Sequence, residues 1–441
     1  MNNPIPTTPP SGFRDHLPDA CARRARAIET ISSVYRSFGF QQIATSAVED
    51  LAVLLGKGGG ENEKLIFKIM KRGEKLDAAK AAGEELADAG LRFDLTLPLA
   101  RFYAKHGSTL PHPLKAFNIG PVWRAERAQK GRYREFYQCD VDVIGSEDVG
   151  AEIDVISAIL AAFDALGVPG VQVVLNDRSY VYEALAHAGV PEDKRQAACV
   201  IIDKLDKVER PKIIQELSET IGSPSTAQLE LTLLRNEPRR DIFTASGDLV
   251  GQKQFAKLDA VVAAVGAERA RVDPSLMRGF DYYTGPVFEF RHPGFSGSIG
   301  GGGRYDHLTE KFGTRQVPAC GGSIGFERLL LILEGEGAQA EAGADVCMLV
   351  FSEETRGKAL EAARFLRARG VSVDVFPGSG KLKNQFKYAD QKRAAWAALI
   401  GPDEAASHVI KLKNLKTGQE ILKPIEEAAN LFGAERANSP V

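Results

Sequence analysis

Apolar residues in the first folded stretch recur every three to four positions, at Ile28, Ile31, Val34, Tyr35 and Phe38, with Gly39 behind them. That spacing predicts an amphipathic helix of about four turns, stopped by the glycine. From about 86 to 145 the pattern changes to short apolar strands broken by loops, and residues 150–166 return to helical spacing ahead of Gly167 and Pro169. The segment from about 178 to 262 is dense in Ala, Lys and Glu and reads as helical. Strand and glycine signals resume from Val287 to about Gly303. Taken together, the pattern predicts an α+β domain with a mainly antiparallel sheet and a helical module inserted between two of its parts.

The stretch EGEGAQAEAGA (334–344) has no apolar period and is the best linker. Beyond it, DVCMLVF (345–351), VSVDVF (371–376) and WAALIG (396–401) read as strands, with helices at Thr355–Arg369, ended by Gly370, and Leu382–Arg393 between them. A βαβαβ order predicts a small α/β domain with parallel strands. The expected division is 1–333 with its insertion at about 178–262, a linker at 334–344, a second domain at 345–432 and a frayed tail at 433–441.

Composition narrows the class. With 441 residues, 44% hydrophobic and 26% charged, the chain is globular rather than disordered. Its longest aliphatic run, Leu329 to Leu333, is far short of a membrane span. The opening MNNPIPTTPP has neither the basic start nor the apolar core of a secretory signal, so a cytoplasmic protein is expected. Five scattered cysteines argue for reduced thiols, against a disulfide framework or a structural zinc site. The net charge of −2 excludes a strongly basic coat protein, but local balance differs. Arg124 to Arg134 holds five basic residues and one acid, and Lys381 to Arg393 holds the same. Each run is a solvated face or a phosphate-binding one.

Five segments carry candidate chemistry. In FNIGPVWRAERAQKGRYREFYQCDVDVIG (117–145), Tyr137, Cys139, Val141 and Val143 alternate with Phe136, Gln138, Asp140 and Asp142. One face is a core face; the other presents an aromatic ring, an amide and two carboxylates. Arg124 and Glu126 lie on the first strand, and a basic loop runs from Arg127 to Arg134. MRGFDYYTGPVFEF (277–290) gathers Arg278, Asp281, Tyr282 and Tyr283 ahead of a strand. SGSIGGGGRYDHL (296–308) has four successive glycines, which permit positive φ and close backbone approach; a flexible hairpin is the plainer reading. It is neither a dinucleotide fingerprint nor a P-loop. CGGSIGFERLLLIL (320–333) is a glycine-rich strand running into a helix with Glu327 and Arg328 at the junction, where a planar guanidinium can lie on a base or reach phosphate. LRFDLTLPLARFYA (91–104) offers Asp94 and Thr96 on one face of a strand.

In this order the segments resemble the class II aminoacyl-tRNA synthetases, and within them the histidyl-tRNA synthetase family, over nearly the whole chain. Residues 117–145 are similar to motif 2, 320–333 to motif 3, RGFDYYTG and GGGRYDHL to the two histidine-enzyme signatures, and KLKNQFKYADQKRA to the anticodon-binding domain. The resemblance implies ATP-dependent activation of L-histidine and its transfer to the 3′ end of tRNA(His) by a homodimer, with Mg2+ bound to ATP and no metal ligand from the protein. Arg124 and Arg278 would be catalytic, at the α-phosphate. Arg124, Glu126, Phe136 and Arg328 would bind ATP, with Phe136 and Arg328 sandwiching the adenine. Asp94, Leu95, Thr96, Gln138, Asp142, Tyr282 and Tyr283 would bind histidine, the first group and Gln138 at its α-amino end and the last three at the imidazole. Arg127 and Gln129 would face the tRNA acceptor end.

The residue chemistry fits. Neutral imidazole has one N–H donor and one acceptor nitrogen, so a selective pocket needs a carboxylate and a hydroxyl donor. A pocket built on hydrogen bonds rejects analogues by about 10⁴ or more, so no editing domain is needed. The chain departs from the pattern in three places: Ser46 stands where motif 1 carries proline, Ala128 where many bacterial relatives have proline, and DLT (94–96) follows the eukaryotic branch rather than bacterial PEGT. The alternative is a non-catalytic regulatory or binding paralogue. Such relatives tend to lose the arginines and the C-terminal domain, and both are present here.

Overall fold

The computed structural model describes residues 5–55, 61–128, 131–205, 208–234, 249–277, 282–313, 315–335 and 343–437. The chain divides into two units, residues 1–338 and 339–441.

The first unit opens with helix α1 (Pro18–Ser37). Proline fits its first turn, where an N–H has no intrahelical partner, and Asp19 faces the positive end of the helix dipole. Ile31 and Tyr35 are fully buried, and Ile28, Val34 and Phe38 pack against the same core. Strands β1 (Gln41–Gln42) and β2 (Val48–Asp50), helix α2 (Leu51–Leu55), β3 (Lys68–Met70), α3 (Glu74–Ala82) and β4 (Ala87–Leu91) follow. Then come α4 (Thr96–His106), the long strands β5 (Leu114–Trp123) and β6 (Glu135–Ile144), α5 (Gly150–Ala165) and β7 (Gln172–Asp177). A helical stretch holds α6 (Arg178–His187), α7 (Glu192–Ile202), α8 (Arg210–Ile221), α9 (Ser223–Glu230) and α10 (Gln252–Val265). The unit closes with β8 (Ala270–Val272), β9 (Pro286–Arg291), β10 (Ser298–Arg304), β11 (Ala319–Gly325) and α11 (Phe326–Gly335).

Eight of these strands form one sheet in the order β1-β5-β6-β11-β10-β9-β7-β8, antiparallel except at its two ends. Helix α5 supplies Val155, Ile156, Ile159 and Phe163 to the core beneath it, against Cys139, Val141 and Phe288. The opposite face of the sheet's middle is left for the site. A separate small sheet, β2-β4-β3, stands apart.

One expected strand is a helix. Asp94 and Thr96 were to share a strand face, but β4 ends at Leu91 and Thr96 begins α4. Asp94 Oδ1 accepts the Leu97 N–H at 3.1 Å, a local bond that satisfies one of the free donors of a helix start. Pro98 lies in the first turn, where it costs no hydrogen bond. Leu97, Ala100 and Tyr103 are then buried at helical spacing.

The second unit contains β12 (Val346–Leu349), α12 (Glu353–Arg367), β13 (Val373–Val375), α13 (Leu382–Gln391), β14 (Trp396–Leu399), α14 (Pro402–Ala406), β15 (Val409–Asn414), β16 (Glu420–Pro424) and α15 (Ile425–Ala437). Its sheet runs β13-β12-β14-β15-β16; the first three strands are parallel and the last two add an antiparallel hairpin. A capping box of Ser352 and Thr355 starts α12. The buried Gln385 amide binds both the N–H and the carbonyl of Val350, fastening α13 to the end of β12.

Candidate functional site

Alternation along β6 puts Phe136, Gln138, Asp140 and Asp142 on one face, and all four line a cavity of about 860 Å³ above the middle of the large sheet. Thr96, Arg124, Glu126, Arg127, Tyr282, Tyr283 and Arg328 line it too. Asp94 and Leu95 are buried, 1% exposed each, and neither reaches the lining. Arg278, Asp281 and Gln129 lie outside the described residues.

The floor of the cavity is main chain. Strand β11 pairs with β6 so that Gly321 faces Asp142 and Ser323 faces Asp140. A Cβ on Gly321 would stand 1.8 Å from Asp142 Oδ1, so only glycine leaves that carboxylate its place. The run Gly300–Gly303 is the buried interior of strand β10, not a flexible hairpin. None of its four glycines has positive φ. What they provide is closeness: a Cβ on Gly302 would sit 2.0 Å from the Gly321 carbonyl oxygen.

At one end of the cavity Asp140 and Asp142 crowd together, with Asp94 buried just behind the lining. Burial pushes Asp142 up to about 7; the Tyr305 hydroxyl, donating to Oδ1 at 2.6 Å, opposes this, and Asp94 adds to it. Burial raises Asp94 to about 6 against the Leu97 N–H and the Arg124 cation. Asp140 is raised well above the usual range by burial and then by Asp142. Three buried acceptor atoms here, Asp94 Oδ2, Gln138 Oε1 and Asp140 Oδ1, have no hydrogen-bond partner. Native interiors seldom leave such atoms unpaired, so this end calls for a ligand rich in N–H donors and positive charge. Tyr282 packs against Tyr283 at 4.9 Å and edge-on to Tyr305 at 6.1 Å, giving that end an aromatic wall.

Towards the other end the lining turns cationic, with Arg124 between the two. Arg124, just past the end of β5, fixes its Nε–H on the Phe93 carbonyl at 3.0 Å and lies over the Phe136 ring at 5.0 Å. Glu126 pairs with Arg132 at 2.5 Å. Arg328, in the first turn of α11, donates to the Ser298 carbonyl at 2.5 Å. Planar cations beside an aromatic face suit a flat heterocycle carrying phosphates.

Tyr305 is a site residue that sequence reasoning did not assign. It belongs to the quoted GGGRYDHL, but nothing in the text of the chain says that it meets a carboxylate 163 residues away. Its neighbour Arg304 is structural: it grips Glu152 with two bonds of 2.6 and 2.8 Å and the Ser146 carbonyl at 2.9 Å, holding the start of α5 to β10.

The family model described as histidyl-tRNA synthetase matches residues 12–329, and one described as anticodon binding domain matches 345–435. Histidine--tRNA ligase of Leifsonia xyli is 42% identical over 398 residues, 86% of this chain and 91% of the relative. That of Christiangramia forsetii is 34% identical over 437 residues, 93% of this chain and 96% of the relative. The crystal structure of histidyl-tRNA synthetase from Nostoc sp. PCC 7120 superposes with a TM-score of 0.79 at 27% identity, covering 98% of this chain and 100% of that one. The family model, the relatives and the fold agree over most of the chain, and the chain belongs to the histidyl-tRNA synthetase family.

Proposed function

We propose that the protein is a histidine–tRNA ligase that activates L-histidine with ATP and transfers it to the 3′ end of tRNA(His). The observation that carries this is the two-ended cavity, with unpaired acceptors and the Asp142–Tyr305 pair at one end, Phe136 and Arg328 at the other and Arg124 between them.

Histidine fits the acidic end by chemistry. Its α-ammonium supplies donors to Gln138, with Thr96 beside it and the Asp94 carboxyl, behind the cavity wall, attracting its charge, and its imidazole N–H is taken by Asp142 while a phenol of Tyr282 or Tyr283 donates to the bare nitrogen. The adenine lies between Phe136 and Arg328, its amine on Glu126, which must then exchange Arg132 for the nucleotide. ATP enters with Mg2+ on its phosphates as part of the substrate.

The histidine carboxylate attacks the α-phosphorus and pyrophosphate leaves. Charge grows on the non-bridging oxygens, and Arg124 with Arg278 stabilises it from two sides without a protein base. The protein's contribution is position and fixed charge. In the second step the 3′-terminal ribose hydroxyl of tRNA(His) attacks the acyl carbon of the adenylate. Arg127, exposed at the cavity rim, and Gln129 meet the acceptor end, and the run from Lys381 to Arg393 lies along the anticodon arm. The working form is a homodimer in the cytoplasm; no described helix is long and apolar enough to cross a membrane.

Histidine-dependent ATP–pyrophosphate exchange tests the reading. Exchange should appear with histidine and not with proline, threonine or glycine. Folded protein without exchange above background refutes it.

A further inference from the structure

Phe136 and Arg328 come from distant parts of the chain, and the segment ahead of α1 joins them. Glu327, 6% exposed, is the meeting point. Arg24 donates to both its carboxylate oxygens at 2.9 Å, and Arg14 adds a third bond to Oε2 at 2.6 Å. Oε1 also accepts the backbone N–H of Tyr137 at 3.4 Å. Glu327 thus touches the residue next to Phe136 and is itself next to Arg328. The two guanidinium groups hold its carboxyl below the ordinary range in spite of burial, so it stays a carboxylate.

Arg14 does something more. Its guanidinium carbon lies 3.3 Å from the centre of the Tyr133 ring, near the end of the basic loop that starts at Arg127. The same N-terminal segment holds the loop's last residue: the Arg134 N–H donates to the Gly12 carbonyl at 2.9 Å, and Arg134 Nη1 to the Ser11 carbonyl at 3.3 Å. Gly12 has φ +87°, and a Cβ there would meet Arg134 Cγ at 2.7 Å, so the contact needs glycine. Arg24 alone already anchors Glu327 with two bonds. The side chain of Arg14 therefore adds a link between α11 and the loop rather than the anchorage itself.

We propose that Arg14 is a positioning residue for the nucleotide, fixing the gap between Phe136 and Arg328 by bridging Tyr133 of the loop to Glu327 of the helix. The inference rests on the reading that these two residues bracket the adenine. A guanidinium attracts an aromatic face only within about 6 Å, so slack of an ångström or two between loop and helix weakens the stack. Histidine, at the other end of the cavity, should not sense it.

Calorimetric titration of the full chain with a non-hydrolysable ATP analogue and Mg2+ measures the effect without any turnover. Arg14→Ala should weaken binding about fivefold or more while the KM for histidine in exchange changes by less than about twofold. Arg14→Lys, which keeps the charge and loses the planar stack, should fall between. Tyr133→Leu removes the other half of the contact and should reproduce the nucleotide-selective loss, which keeps the test available if Arg14→Ala does not fold. Wild-type nucleotide affinity in the folded variants overturns the proposal, and so does a parallel loss for nucleotide and histidine. A wild-type protein that binds the analogue but shows no histidine-dependent exchange refutes the proposed substrate instead.

Discussion

Replacing Tyr305 with phenylalanine removes one oxygen and leaves the ring, so its effect can be traced to a single bond. That bond is the 2.6 Å donation to Asp142 Oδ1. A hydrogen bond to a buried charge contributes about 1.5–3 kcal/mol, which corresponds to roughly one to two pH units on the carboxyl it stabilises. Asp142 stands at about 7 with the bond in place. Without it the group titrates at about 8 to 9, and the ionised fraction at pH 7 falls from about half to between about one-tenth and one-hundredth. The carboxylate makes the strong, charge-assisted bond to the imidazole N–H, so kcat/KM for histidine should drop up to about 5- to 50-fold at pH 7 and recover towards pH 9. Exchange measured from pH 6 to 9.5 reads this directly. The substrate imidazole titrates in the same range in both proteins, so the displacement between the two profiles belongs to Asp142. Profiles that superimpose, or an equal loss in KM for ATP, would refute the argument.

Other consequences follow from the same geometry. Asp94 at about 6 and Asp142 at about 7 stand above the 3.8 expected of an unfolded chain. Their protonation therefore stabilises the ligand-free fold fully below about pH 4, and this contribution is lost as pH rises through 6 to 7. Thermal melts between pH 5 and 8 should show that slope, and Asp142→Asn should flatten it; an unchanged slope counts against the assignment. Gly302→Ala drives a methyl group into the Gly321 carbonyl and should lower stability by about 3 kcal/mol in denaturant titration. Lys383 and Lys387 are exposed one turn apart on α13. Replacing each with alanine should reduce the slope of log affinity for tRNA(His) against log salt by about one unit, and an unaltered slope would remove them from the interface.

Much of the fold can be read from the chain because apolar packing is one-sided. Tyr137, Cys139, Val141 and Val143 alternate with polar partners, so β6 and its cavity face are apparent before any coordinates. The βαβαβ order after residue 345 is equally plain. The text fails where burial is two-sided or the partner is remote. Leu95, Leu97 and Leu99 alternate like a strand, yet α4 forms because Asp94 ties back to Leu97 and a tertiary core takes up the side chains. Four glycines look flexible on paper; in the sheet Gly300, Gly302 and Gly303 lie where neighbouring backbones leave no room for a side chain. Tyr305 needs β6, β11 and β10 to be adjacent before its hydroxyl finds Asp142, and strand order is not written in local periodicity.

A binding surface paved with bare peptide has little to exchange. At Gly321 any larger residue collides with the Asp142 carboxylate, so a descendant with a new amino-acid preference cannot arise by altering that position. Change has to enter through the upright walls, on the polar face of β6 and among the tyrosines. If the wall residues read the substrate's side chain as proposed, selectivity is confined to a handful of codons, while the platform that carries them is held constant by its own lack of side chains.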